Sequence, residues 1–479
     1  MSKAGGEKGV FTTGSTMRHV VVMTATSSIG LVSIFAVDVL NLFYISLLGQ
    51  QELAAAIGYA ATIMFFSVSI CIGFSIATAA LVGRALGAGD VEKARKLATS
   101  SLIYLFLLAS ALAVAVYPAL PFLLRLLGAQ DETLDLALSF MQIVVPSIPL
   151  LGLGMCLGAL LRAQGDPRRA MFVTLSGGAA ALFLDPLFIF GFDMGIEGAA
   201  VATFLVRVIL VVVGFWGVHR IHRMLGRFDW RELTGSVWPF LIIAVPATAT
   251  QLATPVGNAY VTSSIAEFGD DAVAGWAIVG RILPVAFGVI FALSGSVGPI
   301  LSQNFGGHFY ARVRQTMRDA LLFTLVYCLA VWALLALSHE WIIALFGASD
   351  DAASLVRVFC LLVAGSFLFN GALFVANAAF NNLGFPLWAT VFNWGRATLG
   401  VIPFVIVGRN YGAEGVLIGW GLGAIIFGIG SVIVAFWVIN KLPFQQRDKR
   451  QAAANFPGGA HSPFTSGKGA GFGIGARDD

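Results

Sequence analysis

Residues 37–49 read VDVLNLFYISLLG, an apolar run holding one carboxylate, Asp38, one amide, Asn41, and two hydroxyls, Tyr44 and Ser46. A second acid, Asp185, stands in LFLDPLFIFG at 182–191. A carboxylate away from water is costly to ionise, so its pKa rises, and a close second carboxylate raises one of the pair further. Such a pair holds a proton near neutral pH and releases it when its cavity hydrates. That is the chemistry proton exchange requires. Asp38 lies about ten residues, roughly 15 Å, short of the far end of its run. Asp185 lies six residues before Gly191, and Pro186 after it frees a backbone carbonyl near Leu182. Thr203, seven residues into the next apolar run, reaches a similar depth. Arg207 follows one turn later, and a charge there must be paired. Asp185 therefore has two readings: a coupling acid, or a fixed partner of Arg207 that ties two helices together.

Other polar side chains interrupt apolar runs in the second half of the chain: Gln251, Thr254, Asn258, Asn370, Asn377 and Asn393. Asn370 and Asn377 are seven apart and share a helix face. Gln251, Asn258, Asn370 and Asn377 are candidate substrate contacts. The competing reading is that these amides bond helix to helix within a bundle. Arg281 and Arg396 are read as members of polar networks.

The elements that position these residues follow from composition. The chain is 58% apolar and 11% charged, against roughly a quarter charged in soluble domains. It is an all-α integral membrane protein. About 20 apolar residues cross a bilayer, and the spans are read as 20–48, 53–82, 97–120, 134–161, 170–191, 196–218, 238–266, 272–301, 317–338, 353–380, 387–408 and 415–439. Basic residues fall on alternate loops, among them Arg84, Lys93, Arg162, Arg168, Arg220 and Arg312, while the other loops carry only Arg125 and Arg409. The bias puts both termini in the cytoplasm of a cell with an inner membrane.

The chain also repeats. LLGAQDE at 126–132 returns as LFGASDD at 345–351, and GIEGAAVAT at 195–203 as GAEGVLIGW at 412–420, at an offset near 219. Six helices written twice have the same orientation, so their pseudo-twofold axis runs along the membrane normal. The units are a cytoplasmic segment at 1–19, an N half at 20–218, a linker at 219–237, a C half at 238–440 and a disordered tail at 441–479. Asn258 stands where the N half has Asp38, so the ion chemistry is lopsided.

Several classes drop out. All six histidines lie outside the spans or at their edges, and no HExxH or Ser/His constellation occurs in the spans. The four cysteines sit in apolar runs without metal-ligand spacing. No enzyme, metal site, cofactor or nucleic-acid partner is expected. The expected partners are small organic substrates and the lipid bilayer, with the chain a monomer.

RALGAGDVEKAR after the second span, LRAQGDPRRA after the fourth, and LFLDPLFIFGFDMGIEGAAVAT across the fifth and sixth resemble the MATE (multidrug and toxic compound extrusion) family of transporters. Membership implies twelve helices in two six-helix lobes. It also implies secondary active antiport that exports bulky, often cationic organic compounds in exchange for protons or sodium. The chain is most similar to the DinF-like branch, which carries its key acids on helices one and five, here Asp38 and Asp185. Ala181 stands where that branch often has Asn, which disfavours a tight sodium site. The first helix lacks the proline of some members, leaving Ser27, Ser28 and Gly30 for any bend. A flippase for lipid-linked saccharides, from the same wider superfamily, is the alternative. The sequence also leaves a passive channel open.

Overall fold

The computed structural model describes residues 9–46 and 51–455, with the side chains of 38–43, 45, 46, 51, 54 and 444–455 outside that description. Long apolar runs fold as helices because hydrocarbon offers the backbone no other hydrogen-bond partner. The N half comprises α1 (Thr16–Ser46), α2 (Gln51–Gly87), α3 (Val91–Leu126), α4 (Asp131–Val144), α5 (Ile148–Ala163), α6 (Pro167–Pro186) and α7 (Gly195–Phe215). The C half comprises α8 (Trp230–Ala266), α9 (Asp270–Gly306), α10 (Tyr310–Phe346), α11 (Asp350–Leu361), α12 (Phe367–Leu383), α13 (Pro386–Ala397), α14 (Ile402–Gly408) and α15 (Gly412–Asn455). Eleven stretches among the described residues are long and apolar enough to span a membrane. One of them, Pro386–Pro443, contains 58 residues and turns back at Gly412 (φ +78°), so it makes two crossings and the total is twelve.

Three spans read as continuous are broken. The fourth is α4 and α5 joined by a 3-10 turn, Val145–Ser147, and the tenth is α11 and α12 joined by Val363–Ser366. The breaks recur at the repeat offset. Pro146 removes a backbone donor in the first, and Gly365 holds the equivalent place in the second. The eleventh span is split at 398–401 between α13 and α14. The repeat shows also in the caps. Left-handed Gly165 (φ +82°) ahead of α6 matches Gly384 (φ +99°) ahead of α13.

The hydrogen bonds between the halves gather at the end of the molecule where α1 begins. Arg84 Nε donates to Asn382 O (2.9 Å), at the last turn of α12. Gln303 Nε2 donates to Ala163 O (2.7 Å), the last residue of α5. Arg84 and Gln303, like Ala163 and Asn382, are 219 residues apart, so the two bonds are symmetry mates. The same relation links Gly87 and Gly306. A Cβ on Gly87 would overlap the backbone of Gln303, and one on Gly306 would overlap the backbone of Arg84. The ends of α2 and α9 thus cross at backbone contact. A short 3-10 turn, Val10–Thr12, sits beneath them. Phe11 N donates to Gln303 Oε1 (2.9 Å), and Arg312 Nη2 donates to Phe11 O (2.9 Å).

Candidate ion-coupling and cargo site

Asp185 occupies the last turn of α6, ahead of Pro186 and a π-helical turn at Leu187–Gly191. Its side chain is buried, and among the described residues no hydrogen bond or ion pair reaches it. The neighbouring start of α7 packs closely on this broken segment: a Cβ on Gly198 would meet Phe188 O at 2.5 Å.

The register of α1 against α6 places Asp185. The two helices run in the same direction. A Cβ on Gly178 would lie 3.3 Å from Val37 and 3.4 Å from Ser33 Oγ. Farther along, the rings of Tyr44 and Phe190 meet edge to face at 6.4 Å. Asp185 falls between these two contacts on α6, and Asp38 and Asn41 fall between them on α1. The backbone therefore brings the two acids and the amide to the same level of one helix pair. The side chains of Asp38 and Asn41 lie outside the described residues.

Thr203 is half-buried on α7, and its hydroxyl donates back to Ala199 O (2.9 Å). Arg207 does not pair with Asp185. Its Nη1 donates to Val144 O (3.1 Å) and to Ser147 Oγ (2.7 Å). Val144 ends α4, so the guanidinium caps the exposed carbonyl end of a broken helix, where a cation is favoured. This removes the fixed ion pair as an account of Asp185. No sequence signal pointed to it, because the acceptor is a backbone carbonyl 63 residues away.

In the C half, Asn370 and Asn377 are buried on α12, while Gln251 and Asn258 are half-buried on α8. Asn393 Nδ2 donates to Asn377 Oδ1 (2.9 Å) and to Ala389 O (2.7 Å). Arg396, also buried, donates from Nη2 to Thr254 Oγ1 (3.0 Å). Asn377, Asn393 and Arg396 are therefore joined into polar contacts between helices, while Arg281 stands exposed on α9. The symmetry-related bonds of Arg84 and Gln303 were not singled out from sequence. The repeat offset was the signal that could have found them.

Comparison with known proteins agrees with this architecture. The profile of the MatE family matches residues 24–187 and 246–407, one stretch in each half. The chain belongs to the MatE family. Among curated MatE relatives, a protein of Shewanella oneidensis named FAD transporter is 28% identical over 422 residues, covering 86% of this chain and 93% of its own. The multidrug export protein MepA of Staphylococcus aureus is 21% identical over 413 residues, covering 84% and 90%. A crystal structure of a variant of the MATE transporter VcmN from Vibrio cholerae superposes with a TM-score of 0.84 at 25% identity, covering 89% of this chain and 96% of its own. This MatE chain is thus a multi-pass membrane transporter rather than an enzyme.

Proposed function

We propose that this MatE chain exports bulky organic compounds in exchange for protons, by alternating access of its two halves. The observation that carries this reading is the level shared by buried Asp185 and the stretch of α1 bearing Asp38 and Asn41. Neutral, the acids suit a dry cavity. Ionised, they suit a hydrated one, and each proton lost leaves a charge that a cargo cation or a second proton neutralises. In this reading Asp38 and Asp185 are the coupling acids, Asn41 and Thr203 assist them, and Arg207 holds the α4 break. Sodium is the weaker candidate. A cation site of that kind is built from several oxygens, and Ala181 offers no side-chain oxygen one turn before Asp185.

The cargo proposed for the N half is cationic, in keeping with its acids, and the proposal of organic export is in keeping with the name of the Staphylococcus relative, multidrug export protein. We place the chain in an inner membrane with its termini in the cytoplasm. Arg84, Arg162, Arg168 and Arg312 all lie at the end where the halves are clasped, which the positive-inside rule assigns to that side. The state described is then the one closed to the cytoplasm.

The test is uptake of rhodamine 6G into proteoliposomes under an imposed pH gradient or an imposed sodium gradient. Proton-driven uptake that disappears in Asp185→Asn and Asp38→Asn is the expected result. Uptake driven by sodium alone would replace the proton, and full activity in both variants would remove these acids from the mechanism.

A further inference from the structure

Among the described residues, the C half buries a cation with no counter-charge. Arg396 is 6% exposed. Its one side-chain hydrogen bond among the described residues goes to a neutral hydroxyl, Thr254 Oγ1, and its Nε–H is buried with no acceptor. Neither α12 nor α13 contains an Asp or Glu, and α8 has none between Glu232 and its end at Ala266. On α15, which also packs against α13, Glu414 is engaged by Ser354 near the start, and Asp448 stands in the last turns, its side chain outside the described residues. The other buried arginine of this depth, Arg207, spends its charge on a helix end and a hydroxyl. Arg409, which also has an unpartnered Nε, carries an ion pair with Glu267 at 3.1 Å. Arg396 has neither.

An unpaired guanidinium in hydrocarbon is expensive, and such residues are retained where a ligand completes them. The surroundings are built for a ligand. Asn393, one turn before Arg396 on the same face of α13, holds Asn377 of α12 through its amide. Just beyond Arg396 the span breaks, at 398–401, and broken helices near the bilayer middle are where transporters of repeated architecture place their cargo sites. The cluster is also absent from the other half. At the repeat offset, Asn377, Asn393 and Arg396 correspond to Gly158, Thr174 and Gly177. Architecture common to both halves does not require these side chains.

Depth selects the source of the anion. Arg396 is ten residues into α13, about 15 Å along its axis, against a hydrocarbon core about 30 Å thick. Lipid head groups do not reach that level, whereas a molecule bound between the halves does. We infer that Arg396, with Thr254 and the Asn377–Asn393 pair, forms a C-half site for the carboxylate or phosphate of an organic cargo. The transported set then extends to organic anions and to zwitterions whose cationic end faces the N-half acids. The inference rests on the transport reading, but equilibrium binding tests it without any gradient.

Carboxyfluorescein and rhodamine 6G share a xanthene ring and differ in charge, so they make a matched pair of probes. Fluorescence anisotropy of each with the purified protein in neutral detergent reads the site directly. The expected result is saturable carboxyfluorescein binding that weakens by about tenfold or more in Arg396→Gln and less in Arg396→Lys, with rhodamine 6G binding unchanged. Thr254→Val, which leaves the guanidinium in place, should weaken carboxyfluorescein binding more modestly and guards against a folding defect in Arg396→Gln. Phosphatidic acid added to the micelles should not compete. Undiminished carboxyfluorescein binding in Arg396→Gln would overturn the inference, as would loss in Arg281→Gln instead or competition by phosphatidic acid that depends on Arg396. Binding retained while gradient-driven uptake fails would sink the transport reading and leave this site standing.

Discussion

Asp166 shows how one side chain ties the loop architecture together. It caps α6 by accepting from Arg169 N (3.1 Å), and its other oxygen accepts from the Arg169 side chain and from His222 Nε2 (2.8 Å) of the inter-half linker. Burial alone would raise the carboxyl pKa, but the hydrogen bonds from Arg169 and His222 outweigh it and hold the group below its ordinary value. A depressed carboxyl stabilises the fold above its unfolded pKa, near 3.9, and that stabilisation is lost as pH falls through the folded value. Asp166→Ala should therefore lower the melting temperature in detergent at pH 7, by a loss of about 1 kcal/mol, with the gap to wild type narrowing in acid. A gap that widens in acid would contradict this assignment. At this scale the sequence was informative where a residue clashed with its setting. Asp38 and Asp185 stand out because apolar runs reject acids. The isolation of Asp185 was not legible, since Arg207 is held by a main-chain oxygen and a serine hydroxyl about 60 residues away, neither of which marks itself as a partner of a charge.

The α2–α9 crossing is the element whose geometry a conformational cycle must change. Gly87 and Gly306 let the two helix ends meet backbone to backbone, and Arg84 and Gln303 then reach the carbonyl ends of α12 and α5. Gly87→Val or Gly306→Val should wedge the seam apart, with overpacking of about 1–3 kcal/mol against the clasped state. Spin labels on the ends of α2 and α9 would report longer distances in either variant. Gly280→Ala, where a Cβ meets nothing within 4 Å, should leave the distances as in wild type. Unaltered distances in Gly306→Val would show that this crossing does not hold the halves. The loop repeats at the opposite ends of α3 and α10 could be read directly from sequence, since LLGAQDE and LFGASDD are identical at four of seven positions. The crossing was not singled out, because Arg84 and Gln303 differ in type and only their 219-residue offset marks them as mates. The breaks within the fourth, tenth and eleventh spans were not singled out: the apolar run continues through each, and Pro146 and Gly365 were the local signals that marked the first two.

Across the whole molecule, two halves of one architecture carry different chemistry. The N half holds acids at the level where α1 and α6 meet, and the C half holds Arg396 and amides. The halves are clasped at one end by symmetry-related bonds. Twelve crossings, the internal repeat and the uneven charge were all present in composition and loop pattern. The fit between halves was not, because it depends on main-chain contacts across the seam. In the proposed mechanism cargo moves out as protons move in through Asp185 and Asp38. The most direct measurement is proton counterflow, with a pH-sensitive dye enclosed in proteoliposomes and rhodamine 6G added with no pre-formed gradient. The account predicts a pH change inside the vesicles that saturates with cargo and vanishes in Asp185→Asn. Cargo entry at the wild-type rate with no proton movement would contradict it.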